Sequence, residues 1–274
     1  ADVLDDAGLA ERFPFFSFVE GTEAVYQRNG AGYISPRGLV AAQTICAEKN
    51  GADIIRDYAV GVDEQGGVVR VTTSSGDVVT ADKVLVAAGG FTIQNGLLPD
   101  PLDLTVYART IAFFEVGEDE ASRLRSMPSM INETIVSAER TYMLPAIRYP
   151  DGKIYLKIGG DPVDVCVNDD EALRAWFRSD GSKDVAEHLT ARMKALMPDL
   201  AIRNVTSGSC VTSFTPSGVP AIGWTSSSRI AVLSGGCGAA AKSSDEIGRL
   251  GAELLLEDGI KTTGYVTDFA PQFR

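Results

Sequence analysis

Apolar residues recur along this chain in two periods, and the alternation between them outlines its elements. After Pro36, a residue suited to a first helical turn, Leu39, Ala42, Ile45 and Cys46 fall at helical spacing, and Gly51 stands where such a helix would end. A shorter helical patch covers Asp5 to Arg12 in an otherwise irregular opening, residues 1–30, and an aromatic run follows it from Phe13 to Phe18. Three strand-like runs come next, at 53–62, 68–73 and 77–80, with turn signals at Gln65-Gly66-Gly67 and Ser75-Gly76. Lys83-Val84-Leu85-Val86-Ala87-Ala88-Gly89-Gly90 then reads as a buried parallel strand, a continuous apolar run ending in small residues.

The middle of the chain, about 102 to 204, has another texture. Strand-like runs at 104–115, 133–136, 142–149 and 153–158 precede helical patterns at 170–178 and 184–197. That order predicts an antiparallel sheet with flanking helices. Beyond about 205 glycine-rich loops return, with a buried strand at 229–233 and a closing helix at 245–257 that Gly259 ends. The pattern predicts an α/β fold with an α+β insertion, a parallel-sheet domain interrupted by an antiparallel one.

Composition narrows the function classes. The chain has 274 residues, 45% hydrophobic and 23% charged, which fits a globular protein rather than a disordered or fibrous one. Its longest apolar runs fall far short of the roughly 20 residues that span a bilayer, and no secretory signal opens it. A net charge of −12 argues against a nucleic-acid partner. It leaves open an anionic cofactor held by backbone amides and helix N-termini. Four cysteines without a CxxC pair, and one histidine, argue against structural zinc and make a reducing, cytoplasmic setting the default. The chain begins at Ala1 without methionine, which reads as a processed, split or truncated product. No segment carries the strict G-x-G-x-x-G dinucleotide fingerprint. Gly236-Cys237-Gly238-Ala239-Ala240-Ala241 matches only its relaxed form, too near the C-terminus for a complete βαβ unit.

Five segments, taken in order, carry a resemblance. The first is Gly32-Tyr33-Ile34-Ser35-Pro36-Arg37-Gly38-Leu39 with the helix after it and Gly51-Ala52-Asp53-Ile54. The second runs from Gly76 to Gly89, and the third is Tyr155-Leu156-Lys157-Ile158-Gly159-Gly160. The fourth is Cys210-Val211-Thr212-Ser213-Phe214-Thr215-Pro216, continuing to Pro220-Ala221-Ile222-Gly223. The fifth runs from Gly235 to Ser244. Together they resemble the D-amino-acid oxidase superfamily of FAD-dependent oxidoreductases, most closely its sarcosine oxidase branch, without the N-terminal dinucleotide-binding motif.

The resemblance implies a partial FAD-binding Rossmann-like domain with an antiparallel-sheet substrate domain. Residues 1–30 would be an N-terminal segment of the substrate domain and 31–101 part of the FAD-binding domain. Residues 102–204 would be the substrate domain and 205–274 the C-terminal part of the FAD-binding domain.

Each candidate residue has a plain reading beside the functional one. Lys157 is a strand-end lysine facing solvent, or, by the resemblance, the cation over the flavin that assists oxygen reduction. Cys210 is a small buried hydrophobe, or the thiolate joined to the flavin 8α carbon. Gly235, Gly236 and Gly238 form a strand-to-helix turn, or let the backbone approach the isoalloxazine, with the following helix N-terminus favouring negative charge there. Lys242 opposes the helix dipole at a helix start, and the resemblance gives it the substrate carboxylate. Val60, Ala88 and Gly89 would meet the cofactor through their backbones. Two histidines of the sarcosine oxidase pattern are replaced, by Ala239 and by Asp161, which argues against sarcosine as substrate. Asp161 is a turn former before Pro162, or a partner for a cationic amine.

The implied reaction is oxidation of a small amine or amino acid. A hydride equivalent passes to flavin N5, the imine hydrolyses, and oxygen is reduced to peroxide. Alternatives are a dehydrogenase using a quinone or protein acceptor, and a non-catalytic subunit that needs a partner chain to supply the phosphate-binding half.

Overall fold

The computed structural model describes residues 1–262 and 264–274. The first half of the chain forms β1 (Asp2–Leu4), α1 (Asp6–Arg12), β2 (Ala24–Tyr26), α2 (Pro36–Lys49), β3 (Ala59–Gln65), β4 (Val68–Thr73), β5 (Val78–Ala81) and β6 (Val84–Val86). There follow β7 (Thr105–Val116), α3 (Glu118–Arg123), β8 (Met130–Asn132), β9 (Thr141–Arg148), β10 (Ile154–Gly159) and β11 (Val165–Val167). The chain closes with α4 (Asp170–Phe177), α5 (Lys183–Leu196), β12 (Ile202–Phe214), β13 (Ala221–Trp224), β14 (Ile230–Ser234) and α6 (Ser244–Glu257). It divides into two compact units, one of residues 1–35, 109–164 and 176–210, the other of 36–108, 165–175 and 211–274.

The first unit is built on an antiparallel sheet in which β10 lies between β7 and β9, and β8 pairs with β9. Strict alternation makes it two-faced. Ala112, Phe114, Val116, Met143, Leu156 and Ile158 are buried on one side against Leu189, Met193 and Leu196 of α5. The aromatic run joins the same core through Phe13 and Phe15. An antiparallel sheet with one covered face leaves the other for a different purpose, and here that face carries Lys157. Helix α5 starts at Ser182, whose Oγ accepts from Val185 N–H at 3.4 Å while its own N–H donates to Thr110 Oγ1 at 2.9 Å. Ser182→Ala should therefore cost about 1 kcal/mol, read as a lower urea midpoint at unchanged slope.

The second unit holds the expected parallel pair. Ile230, Ala231 and Val232 of β14 run parallel to Val84, Leu85 and Val86 of β6, and β13 pairs antiparallel on the far side. Helix α6 packs closely on this sheet at Gly251, where a Cβ would stand 2.6 Å from Leu233 and 2.9 Å from Leu85. A separate meander, β3-β4-β5, shares a core of Val69, Val86, Leu97 and Ile230.

Several elements differ from the sequence pattern. Residues 53–58 are not strand. Asp57 instead gathers the Ser74 and Ser75 hydroxyls and the Tyr58 and Ser75 amides into a polar turn. The run 133–136 is loop, because Glu133 pairs with Arg140 at 3.1 Å and Thr134 Oγ1 donates to Val136 O; the strand lies at Met130–Asn132. Residues 205–214 belong to a 13-residue strand, in which Gly208 lies under Phe113 and Ile111 of the neighbouring strand, and the glycine-rich loops begin only after it. Helix α6 ends on Asp258, at φ 58°, rather than on Gly259.

Candidate functional site

In the first unit, four of the sequence-singled features converge on the open sheet face and the loop beyond it. Lys157 pairs in register with Phe113 of β7 and Leu144 of β9, and its Nζ lies 5.4 Å from the ring centroid of Tyr142. It is half-buried rather than a solvent-facing strand end. Two residues on, Gly159 pairs with Tyr142, and any Cβ there would overlap the Tyr142 ring, so the glycine makes the ring's seat. Tyr142 is 39% exposed because its ring faces the open side. Burial, reinforced by Cys210 and Asp161, raises its hydroxyl above the usual phenol range.

Asp161 follows the glycine pair. It is half-buried, its Oδ1 accepting from Thr110 N–H at 3.1 Å. Burial raises its carboxyl above the ordinary range, while the Thr110 amide, Arg109 and His188 pull it down and Asp164 pushes it up. Cys210 is half-buried on β12, with its carbonyl fixed by the Trp176 indole N–H at 2.8 Å. Burial and Asp161 push its thiol up, against Lys157 and Arg109. The surroundings thus favour the thiol, whereas covalent attachment requires the thiolate.

Sequence reasoning passed over Tyr142 and Arg109, and also a T-shaped aromatic group, Phe113, Tyr149 and Tyr155, with centroids 5.4 to 5.9 Å apart. Arg109 is bound to Asp164 at 2.6 Å. The signal for most of them was the period-2 alternation of β7, β9 and β10, which puts Arg109, Phe113, Tyr142 and Tyr155 on the side of Lys157.

The second unit gathers the remaining candidates in two places. Ala88 lines a cavity of about 480 Å³, walled mainly by Val62, Val71, Val84, Val86 and Leu97, while Val60 is exposed on β3. Gly89 adopts φ 57°, and a Cβ built on it meets nothing within 4 Å. The stretch 235–243 forms a tight turn in which Gly235 and Gly238 have φ of 80° and 71° and even Cys237 is left-handed at 49°. The Cys237 N–H donates to Ser213 O at 2.8 Å, which anchors the turn. Ala239 and Lys242 are exposed, Lys242 in a short 3₁₀ turn that runs into α6. Ser243, at the head of α6, makes no side-chain cap, so the first amides of that helix have no side-chain acceptor there.

The fold and these residues define a class, and comparison with known proteins gives it a name. The family model described as FAD dependent oxidoreductase (DAO) matches residues 1–254, and the chain belongs to that family. NikD, an unusual amino acid oxidase essential for nikkomycin biosynthesis, is 21% identical, with a TM-score of 0.75 over 99% of this chain and 68% of that one. Amadoriase I, the fructosyl amine:oxygen oxidoreductase of Aspergillus fumigatus, is 18% identical, with a TM-score of 0.73 over 95% of this chain and 61% of that one. Iminodiacetate oxidase (IdaA) of Chelativorans sp. BNC1 is 16% identical, with a TM-score of 0.71 over 98% of this chain and 66% of that one. No curated protein matches the sequence. At these identities the likeness is one of fold, and the chain spans between 61% and 68% of the length of these three structures. No helix among the described residues is long and apolar enough to cross a membrane.

FAD is the family's cofactor, and two features of the second unit fit it. The cavity beside Ala88 lies within the roughly 300–1,000 Å³ typical of small-molecule sites. The left-handed Gly89 has open space where a side chain would stand, which leaves its backbone approachable.

Proposed function

We propose that this chain oxidises a primary or secondary amine, an amino acid or a derivative of one, and passes the electrons to oxygen to give peroxide. The observation that supports this most directly is the half-buried Lys157 on the open sheet face, beside Tyr142 and in the field of Cys210 and Asp161. Bound FAD supplies the acceptor for the hydride equivalent. Lys157 contributes a fixed positive charge that lowers the cost of forming superoxide from oxygen. Asp161, anchored by Thr110, pairs with the cationic amine, and Phe113, Tyr149 and Tyr155 offer an apolar wall for the substrate's side chain. Within the second unit, the exposed Lys242 and Ala239 are the candidates for meeting a carboxylate. The backbones of Val60, Ala88, Gly89, Gly235, Gly236 and Gly238 would hold the cofactor, and a tether at Cys210 would require the thiolate that burial and Asp161 disfavour.

The test is peroxide production from a panel of amines and amino acids by the FAD-loaded protein. The reading fails if none gives turnover. Cys210→Ser should abolish the flavin that stays with the polypeptide after acid precipitation, and an intact wild-type mass equal to the bare chain would remove the tether from this scheme.

A second reading has its own observation. Among the described residues, strand β6 stands at the edge of its three-stranded sheet, with β14 on one side only. An edge strand facing an apolar cavity suits a further polypeptide strand, so cofactor binding would need a partner chain.

A further inference from the structure

The apolar cavity beside Ala88 has one charged side chain among the described residues that line it, Arg174 of α4. Its guanidinium lies within cation–π range of two rings, 5.6 Å from the Tyr58 centroid and 5.5 Å from that of Phe91. Nη2 donates to Gln94 Oε1 at 2.9 Å, while Nε reaches Asp170 Oδ2 only at 3.5 Å, longer than an ordinary hydrogen bond. That ion pair joins side chains 33% and 39% exposed, so solvent weakens it and Arg174 keeps most of its charge for another partner.

The turn that carries Gly89 also fixes this cation. Residues Gly89–Ile93 form a 3₁₀ turn that supplies Phe91 and ends on Gln94, so two of the groups holding Arg174 follow directly from the glycine whose backbone is approachable. The turn is itself pinned to β14. Ser234 Oγ donates to Gly89 O at 3.0 Å and accepts from Thr92 Oγ1 at 3.0 Å, and both hydroxyl residues are buried. A planar guanidinium held in this way has little side-chain freedom left to lose when it meets a ligand. With Nε and Nη2 engaged, Nη1 is the donor that remains.

We propose that Arg174 binds a phosphate of FAD, the guanidinium supplying the one positive charge in a cavity that otherwise suits an uncharged ring system. This role rests on the placing of the cofactor at Ala88 and Gly89 proposed above. An apolar wall accepts a ring readily, but an anion only where a cation offsets its loss of water. Arginine suits phosphate because its N–H donors lie in one plane and its charge is weakly hydrated. The rest of the chain opposes an anion, with a net charge of −12. Asp57, next to Tyr58, is turned to the Ser74 and Ser75 hydroxyls. Each end of FAD presents a phosphate beside a ring system, as in ADP and in FMN, and the test separates the two.

Calorimetric titration of the purified chain with two matched pairs, ADP against adenosine and FMN against riboflavin, isolates the phosphate. In wild type the phosphorylated member of at least one pair should bind about 10- to 100-fold more tightly than its partner, the effect of hydrogen bonds to a charged group. Arg174→Gln should abolish that preference while the affinity for adenosine or riboflavin stays within about three-fold, since only the charged contact is lost. An arginine that merely braced the fold would weaken both members of a pair together. A preference that survives in Arg174→Gln overturns the proposal, because another cation then holds the phosphate. If Arg174→Gln does not fold, wild type decides alone, and equal affinities within both pairs overturn the proposal.

Binding of adenosine or riboflavin with no gain from the phosphate would overturn the role of Arg174 and leave the cofactor's placing intact. No binding of any of the four would overturn both. None of these measurements needs an amine or turnover, so failure of the proposed oxidation is told apart from failure at Arg174.

Discussion

Replacing Lys157 by methionine is expected to lower oxygen-dependent turnover by about 100- to 1,000-fold, the effect of removing one preorganised charge from a site where charge develops. Methionine keeps much of the stem's volume and length, so packing against Tyr142 on the open face changes little. The loss should fall on the oxygen step alone. Single-turnover reduction by the amine should stay within a few-fold of wild type, and reoxidation by a quinone analogue should be unaffected. If wild type reacts slowly with oxygen and Lys157→Met alters nothing, the protein is a dehydrogenase using another acceptor. If amine reduction falls as steeply as oxygen turnover, Lys157 serves the substrate instead.

The placement of Lys157 was legible only in part, and the reason is physical. The apolar run Ile154-Tyr155-Leu156 reveals a strand, and β10 is one, but a strand does not say which face is covered. That face is decided by α5 and the aromatic run, elements distant in sequence whose Leu189, Met193 and Phe13 bury the Leu156 side. Regular elements with strong local signals came through well: Pro36 to Gly51 did so because apolar spacing and a glycine stop agree. Strand β12 did not, because Gly208 and the serines beside it read as loop until Phe113 lies over the glycine. Segment 53–58 misled in the opposite sense, since its apolar residues were outweighed by one carboxylate, Asp57, that draws the backbone into a turn. Among the candidate residues, Cys210, Asp161 and Lys157 were singled out through the family resemblance. Tyr142 and Arg109 were not, because their place depends on strand register rather than on any neighbouring residue.

Gly160 ties the stability of the first unit to the geometry of its candidate site, and its replacement should show both. The residue has φ 147°, and a Cβ there would overlap the carbonyl oxygen of Arg140 and stand 3.1 Å from Thr141 Cγ2. Neither neighbour is free to yield. Glu139 is held by Arg192, and Tyr142 is paired in register with Gly159. Gly160→Ala therefore combines backbone strain with overpacking and should cost about 3 kcal/mol. Gly152 provides the control, since it has φ 82° but nothing within 4 Å of a built Cβ. Gly152→Ala should cost only the left-handed conformation, about 1 kcal/mol. Urea unfolding of both variants measures the difference, and equal losses would mean that the contact with residues 140–141 contributes nothing. Because Asp161 is the next residue, relief of the overlap at Gly160 must move its carboxylate away from Thr110 N–H. The folded fraction of Gly160→Ala should then bind amines more weakly, with KM rising before kcat falls, whereas Gly152→Ala should keep its KM.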